Sequence, residues 1–85
     1  MTKETKMAML DVVADSYIAQ GGKYAEMGRD VKNLVESFHN GTYNAADERA
    51  IARKVVELMG ITTPQAQNAE NIEDVILQVR NIINF

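Results

Sequence analysis

Between Lys23 and His39, apolar side chains recur at the pitch of an α-helix. Tyr24, Met27, Val31, Leu34, Val35 and Phe38 follow three–four spacing, while Glu26, Arg29, Asp30, Lys32, Asn33 and Glu36 fill the other sides. A helix patterned this way must bury its apolar stripe, so the chain is constrained to pack helix on helix. Asn40-Gly41 stops it, because glycine accepts the left-handed backbone that ends a helix.

The same pattern recurs three more times. Thr2 or Thr5 caps a first helix running to about Gln20, with Met7, Leu10, Val13, Ala14, Tyr17 and Ile18 along one stripe and Gly21-Gly22 as its stop. Asn44 opens a third helix, with Asp47 and Glu48 at the positive end of its dipole. Ile51, Ala52, Val55, Val56, Leu58 and Met59 form its apolar side, and Gly60 closes it, with Ile61 placed to fold back on Val56. Thr62-Thr63-Pro64 then reads as stop and restart, threonine capping and proline taking the first helical position.

The run from Gln65 to Asn71 has no apolar stripe and reads as either a weakly anchored helical turn or a loop. Asn71, followed by Glu73 and Asp74, starts a last helix whose face is Ile72, Val75, Ile76, Val79, Ile82 and Ile83. These β-branched residues also suit a strand, but period-two alternation is missing and no partner strand appears elsewhere. The expected fold is all-α, a small up-and-down bundle of three to four amphipathic helices, because short connections favour antiparallel neighbours. At 85 residues the chain is expected to be a single helical domain over 1–85.

Composition narrows function by exclusion. There is no cysteine, so disulfides, thiolate nucleophiles and cysteine-ligated metals are absent together. The nine basic residues are interleaved with twelve acidic ones and form no stripe, which disfavours nucleic acid and anionic membrane as partners. No apolar run is long enough to span a bilayer. Asp11 and Asp15 interrupt what would be a secretory signal, so the cytoplasm is the expected compartment, and the acceptor triplet Asn40-Gly41-Thr42 carries no weight there.

The candidates for chemistry are few. His39 is the single histidine, and Ser37, two residues away, points to a different side of a helix, so the pair reads as unassembled. Asp11 and Asp15 share a helical face, yet the chain lacks the Glu-x-x-His motif of bundle metal sites, and a solvated acidic face is the expectation. Gly21-Gly22 lacks the further glycines and the Lys-Ser/Thr ending of a phosphate loop. Tyr17, Tyr24, Met27, Phe38 and Met59 could line a pocket, but at these spacings they read as core. No catalytic residue, cofactor or metal ligand is therefore expected.

Two further features bear on partners. Ile51 to Asn68 has the outline of a helix-turn-helix, although Pro64 to Asn71 offers no lysine or arginine for phosphates. Met9, Leu77 and Phe85 fall off the main apolar stripes of their helices, and if gathered into a patch they would mark a surface for another protein or for a second copy.

Tyr24-Ala25-Glu26, a helix to Tyr43 and a second amphipathic helix ending near Met59 resemble the small four-helix-bundle immunity proteins that protect bacteria from their own pediocin-like bacteriocins. The resemblance covers roughly residues 7 to 83 and implies a protective role by binding. The chain departs from that family in being acidic and in lacking an extended tail after the last helix, and no site residue carries over. The expectation from sequence is a non-enzymatic helical-bundle adaptor, inhibitor or regulator that works by protein–protein interaction. Bacteriocin-immunity-like protection and helix-turn-helix DNA binding stand as alternatives.

Overall fold

A computed structural model describes residues 2–83, and it is all-α among them. Five helices follow in order: α1 (Lys3–Gln20), α2 (Gly22–His39), α3 (Ala45–Met59), α4 (Pro64–Gln67) and α5 (Ile72–Ile83). Four are long; α4 is a single turn. The chain divides into two compact units, one up to Asn44 and one from Ala45 onward.

In the first unit, the side-chain oxygen of Thr2 accepts the N–H of Thr5 and so caps α1. Gly21 alone joins α1 to α2. Its φ of 77° lets its N–H return to the Ile18 carbonyl while the chain reverses. The two helices then run antiparallel, since Lys32 pairs with Asp11 and Asp15, and Gly28 sits on Ala14 and Ile18. Met7, Leu10, Ala14 and Tyr17 of α1 and Met27, Val31, Leu34 and Val35 of α2 are buried, as their spacing predicts. Each large side chain removed from water in this way stabilises the fold by roughly 1.5–3 kcal/mol.

Ala25 and Gly28 are also buried and extend the α2 face beyond the large apolar residues. A β-carbon on Gly28 would stand 2.7 Å from the Ala14 carbonyl oxygen and 3.1 Å from the Ile18 amide nitrogen. The missing side chain therefore sets how closely the helix backbones approach. The unit is closed off at its far end by an aromatic corner. The Phe38 ring meets Tyr43 edge-on at 5.8 Å, and the Lys3 ammonium lies 5.3 Å from the centre of the Tyr43 ring.

In the second unit, α3 ends as predicted at Gly60. The Gly60 N–H donates to the Glu57 carbonyl and the Ile61 N–H to the Val56 carbonyl, the paired bonds of a glycine-terminated helix, with both Val56 and Ile61 buried. Thr63 caps α4 by accepting the Ala66 N–H, and Pro64 takes its first position. Of the two readings of Gln65 to Asn71, one turn of helix followed by irregular chain is what forms. Ala66 and Ala69 nevertheless anchor this run by burial.

Asn71 caps α5, its side-chain oxygen accepting the Asp74 N–H at 3.0 Å. Ile72, Val75, Ile76 and Val79 are buried on α5, whereas Ile82, which the spacing places on the same stripe, is 56% exposed in the last turn. The start of α5 lies beside the start of α3. Glu48, in the first turn of α3, is only 3% exposed and accepts the Ile72 N–H at 3.2 Å. The segment from Gly60 to Asn71 thus carries the chain back along α3 before α5 begins. The up-and-down order expected from short connections applies to α1 and α2.

Candidate interaction surfaces

The helix that departs most from expectation is α1. It is apolar on two opposite sides rather than one. Opposite the buried side, Thr5, Ala8, Met9, Val12 and Ala19 are exposed and Ser16 is half-exposed, and none of the six is charged. On a helix with about 3.6 residues per turn they fall in one stripe roughly 100° wide. Met9 is 53% and Val12 67% exposed, two of the four large apolar residues that face water among the described residues. Thr5, Met9, Val12, Ser16 and Ala19 follow the 4-3-4-3 spacing of a seam made to meet another helix.

Met9 was singled out by sequence, and the structure places it along one edge of this stripe, with Val12 at its middle. Val12 was not, because its neighbour Val13 shares the inner stripe and masks the outer one. The signal was legible in the 4-3 spacing itself. Leu77 is 56% exposed on α5, in the second unit, as its position off the α5 stripe predicts. Phe85 lies outside the described residues. On α5 itself, Leu77 and Ile82 are five residues apart and point about 140° from each other, so they form no common patch.

The acidic pair Asp11 and Asp15 does share a face, but that face is not simply solvated. Lys32 of α2 reaches across, its ammonium 2.7 Å from Asp15 and 3.4 Å from Asp11. The hydrogen bond to Asp15, joined by the one to Asp11 and by both negative charges, raises the lysine above its ordinary range. The three groups form a surface clamp between α1 and α2. Among the described residues, no group of three or more histidine, aspartate or glutamate side chains is arranged to hold a metal ion.

His39 sits exposed in the last turn of α2, its ring edge-on to Phe38 at 5.9 Å. The Ser37 hydroxyl donates to the Leu34 carbonyl at 2.7 Å, one turn back along its own helix. That bond spends the serine proton on the backbone rather than on a base. Histidine and serine are thus not assembled for nucleophilic chemistry.

In the second unit an open cleft of about 430 Å³ lies between the end of α3 and α4. Val56 and Ile61 form its floor, and Arg53, Glu57 and Gln67 its rim. The Gln67 amide donates to the Ile61 carbonyl at 2.9 Å and tethers α4 across the cleft. The floor residues are already 94% or more buried, since Val56 is 6% and Ile61 4% exposed, so little apolar area is left to offer a ligand. As for the helix-turn-helix outline, its second helix is the four-residue α4, too short to lie along a DNA groove, and it carries no basic side chain.

Among the described residues, no helix is long and apolar enough to cross a membrane. Comparison with protein-family models, with curated proteins and with solved structures gives no match for this chain.

Proposed function

We propose that this chain is a non-enzymatic helical module of the cytoplasm that acts by binding another protein, as adaptor, inhibitor or regulator. The observation that supports this reading is the second apolar face of α1. A helix already packed on one side gains nothing in isolation from Met9 and Val12 on the other, and leaving such residues in water forgoes roughly 1.5–3 kcal/mol each. Exposed apolar residues scattered singly are ordinary. A continuous uncharged stripe along an 18-residue helix is what a protein interface uses.

The acidic balance, with net charge −3, fits a protein partner better than a nucleic acid. The test is a photo-crosslinking residue placed at Val12 and, as control, at Glu36 on the exposed side of α2, in cells that make the protein. Adducts of defined mass formed from position 12 and not from position 36 are the expected result. An absence of adducts from position 12 overturns the reading.

A further inference from the structure

Of the seven asparagines in the chain, only Asn40 precedes a glycine. The side-chain amide of an asparagine is open to attack by the backbone nitrogen of the next residue, which closes a five-membered ring. That nitrogen is most accessible when its own residue has no β-carbon, and glycine also gives the backbone freedom to bring it round. Asn40 and Gly41 are both exposed and form the turn that follows α2. By contrast, Asn33 and Asn81 lie within α2 and α5. The side chains of Asn68 and Asn71 are engaged on the Pro64 carbonyl and the Asp74 N–H.

The fold holds the Asn40-Gly41 pair away from this reaction. Gly41, at φ 77°, donates its N–H to the Phe38 carbonyl at 3.3 Å, and the N–H groups of Thr42 and Tyr43 both reach the Ser37 carbonyl. Ring closure needs the Asn40 β-carbon and the Gly41 nitrogen on the same side of the Cα–C bond. At Asn40, ψ of −3° sets that nitrogen beside the residue's own backbone nitrogen instead. Turning ψ breaks the bonds that return to Phe38 and Ser37, so the reaction waits for the end of α2 to open.

We propose that Asn40 is a site of spontaneous deamidation, gated by opening of the glycine-terminated end of α2. In the opened turn, the Gly41 nitrogen gives its proton to solvent base and attacks the side-chain carbonyl carbon of Asn40. The new C–N bond forms, the bond to the side-chain nitrogen breaks, and that nitrogen leaves as ammonia. Water then opens the cyclic imide at either carbonyl. One product is aspartate. The other is isoaspartate, in which the main chain runs through the former side chain and gains a methylene before Gly41.

Both products place a new negative charge at the C-terminal end of α2, where the helix dipole disfavours it. The isoaspartyl form also shifts Thr42 and Tyr43 away from Ser37, and with them the edge contact between Tyr43 and Phe38. Deamidation thus loosens the aromatic corner that closes the first unit.

For the test, the full chain is incubated at mildly alkaline pH, alone and in enough urea to unfold it. The acidic form is separated by ion exchange and its altered residue located by peptide mapping. The change is expected at Asn40, accumulating about tenfold or more faster in urea, where no helix end has to open first. In Asn40→Gln no acidic form is expected at that position, because the longer side chain closes a six-membered ring far more slowly. Acidic protein isolated from the folded sample is expected to exchange its Thr42 and Tyr43 amides faster than the unmodified chain. Equal rates with and without urea overturn the gating, and unchanged exchange at Thr42 and Tyr43 overturns the loosening. An unfolded chain that keeps Asn40 intact, or that converts other asparagines first, overturns the site itself.

Discussion

The α-carbon of Gly28 faces the backbone of Ala14 so closely that a single methyl group would come within 2.7 Å of the Ala14 carbonyl oxygen. Two further atoms crowd the same point, the Ile18 amide nitrogen at 3.1 Å and the Ile18 side chain at 2.8 Å. A flexible side chain can yield, but two stretches of helix backbone cannot without the helices moving apart. Gly28→Ala gains up to about 1 kcal/mol of helix propensity. It is nevertheless expected to be destabilising overall, by about 1–3 kcal/mol, because it overpacks the contact between α1 and α2. Urea unfolding of the pair of proteins reads the sign directly; a variant as stable as the native chain would show that the crossing has slack.

Gly60 makes the opposite case. A β-carbon there would meet nothing within 4 Å, but φ is 68°, in the left-handed region. Gly60→Ala should therefore cost about 1–2 kcal/mol through backbone conformation alone. Gly60→Asn, which tolerates that region, should recover part of the loss. Equal stability of the two variants would contradict this account.

Glu48 links the starts of two helices. Its carboxylate sits in the first turn of α3 and accepts the N–H of Ile72, a group that α5 cannot satisfy internally. Glu48→Ala leaves that buried donor bare and is expected to destabilise by about 1–3 kcal/mol. Glu48→Gln keeps an acceptor and loses only the favourable charge at the helix ends, so it should cost less. Hydrogen exchange at the Ile72 amide, faster in Glu48→Ala than in Glu48→Gln, is the specific readout.

Lys32 carries a prediction in alkaline solution. Its folded form is raised by Asp15 and Asp11, so the protonated lysine is favoured by folding. The stabilisation is present in full below the ordinary lysine range and is lost as pH climbs through the raised value. The stability difference between the native chain and Lys32→Gln should thus be constant near neutrality and vanish at strongly alkaline pH. It should also shrink with added salt, because the clamp is solvent-exposed. A difference that persists unchanged through the alkaline range would assign the effect of Lys32 to its methylene stem.

Much of the fold could be read from spacing and punctuation. The large apolar positions on α2 and the stops at Gly21, Gly41 and Gly60 all come from local rules, as does the Thr63–Pro64 restart. The misses have a common cause. Gly28 and Ala25 are buried because of what lies opposite them, and a small residue gives no hydrophobic signal of its own. Glu48 looked like a surface charge at a helix start, and only the return of the chain to Ile72 buries it. Ile82 keeps the right periodicity but falls in the last turn, where it remains largely exposed. Asp11 and Asp15 gave no sign of Lys32, seventeen residues from Asp15, because their pairing is set by the antiparallel register of α1 and α2.

The one-residue joint at Gly21 has a consequence for how the first unit comes into being. With so short a connector, zipping α2 back along α1 closes almost no loop, and the entropy lost in bringing the two segments together is small. Contacts such as Ala14 to Gly28 span few residues, which places this hairpin among the structures that assemble fastest. During synthesis, α1 and α2 therefore have what they need to fold together before α5 has left the ribosome.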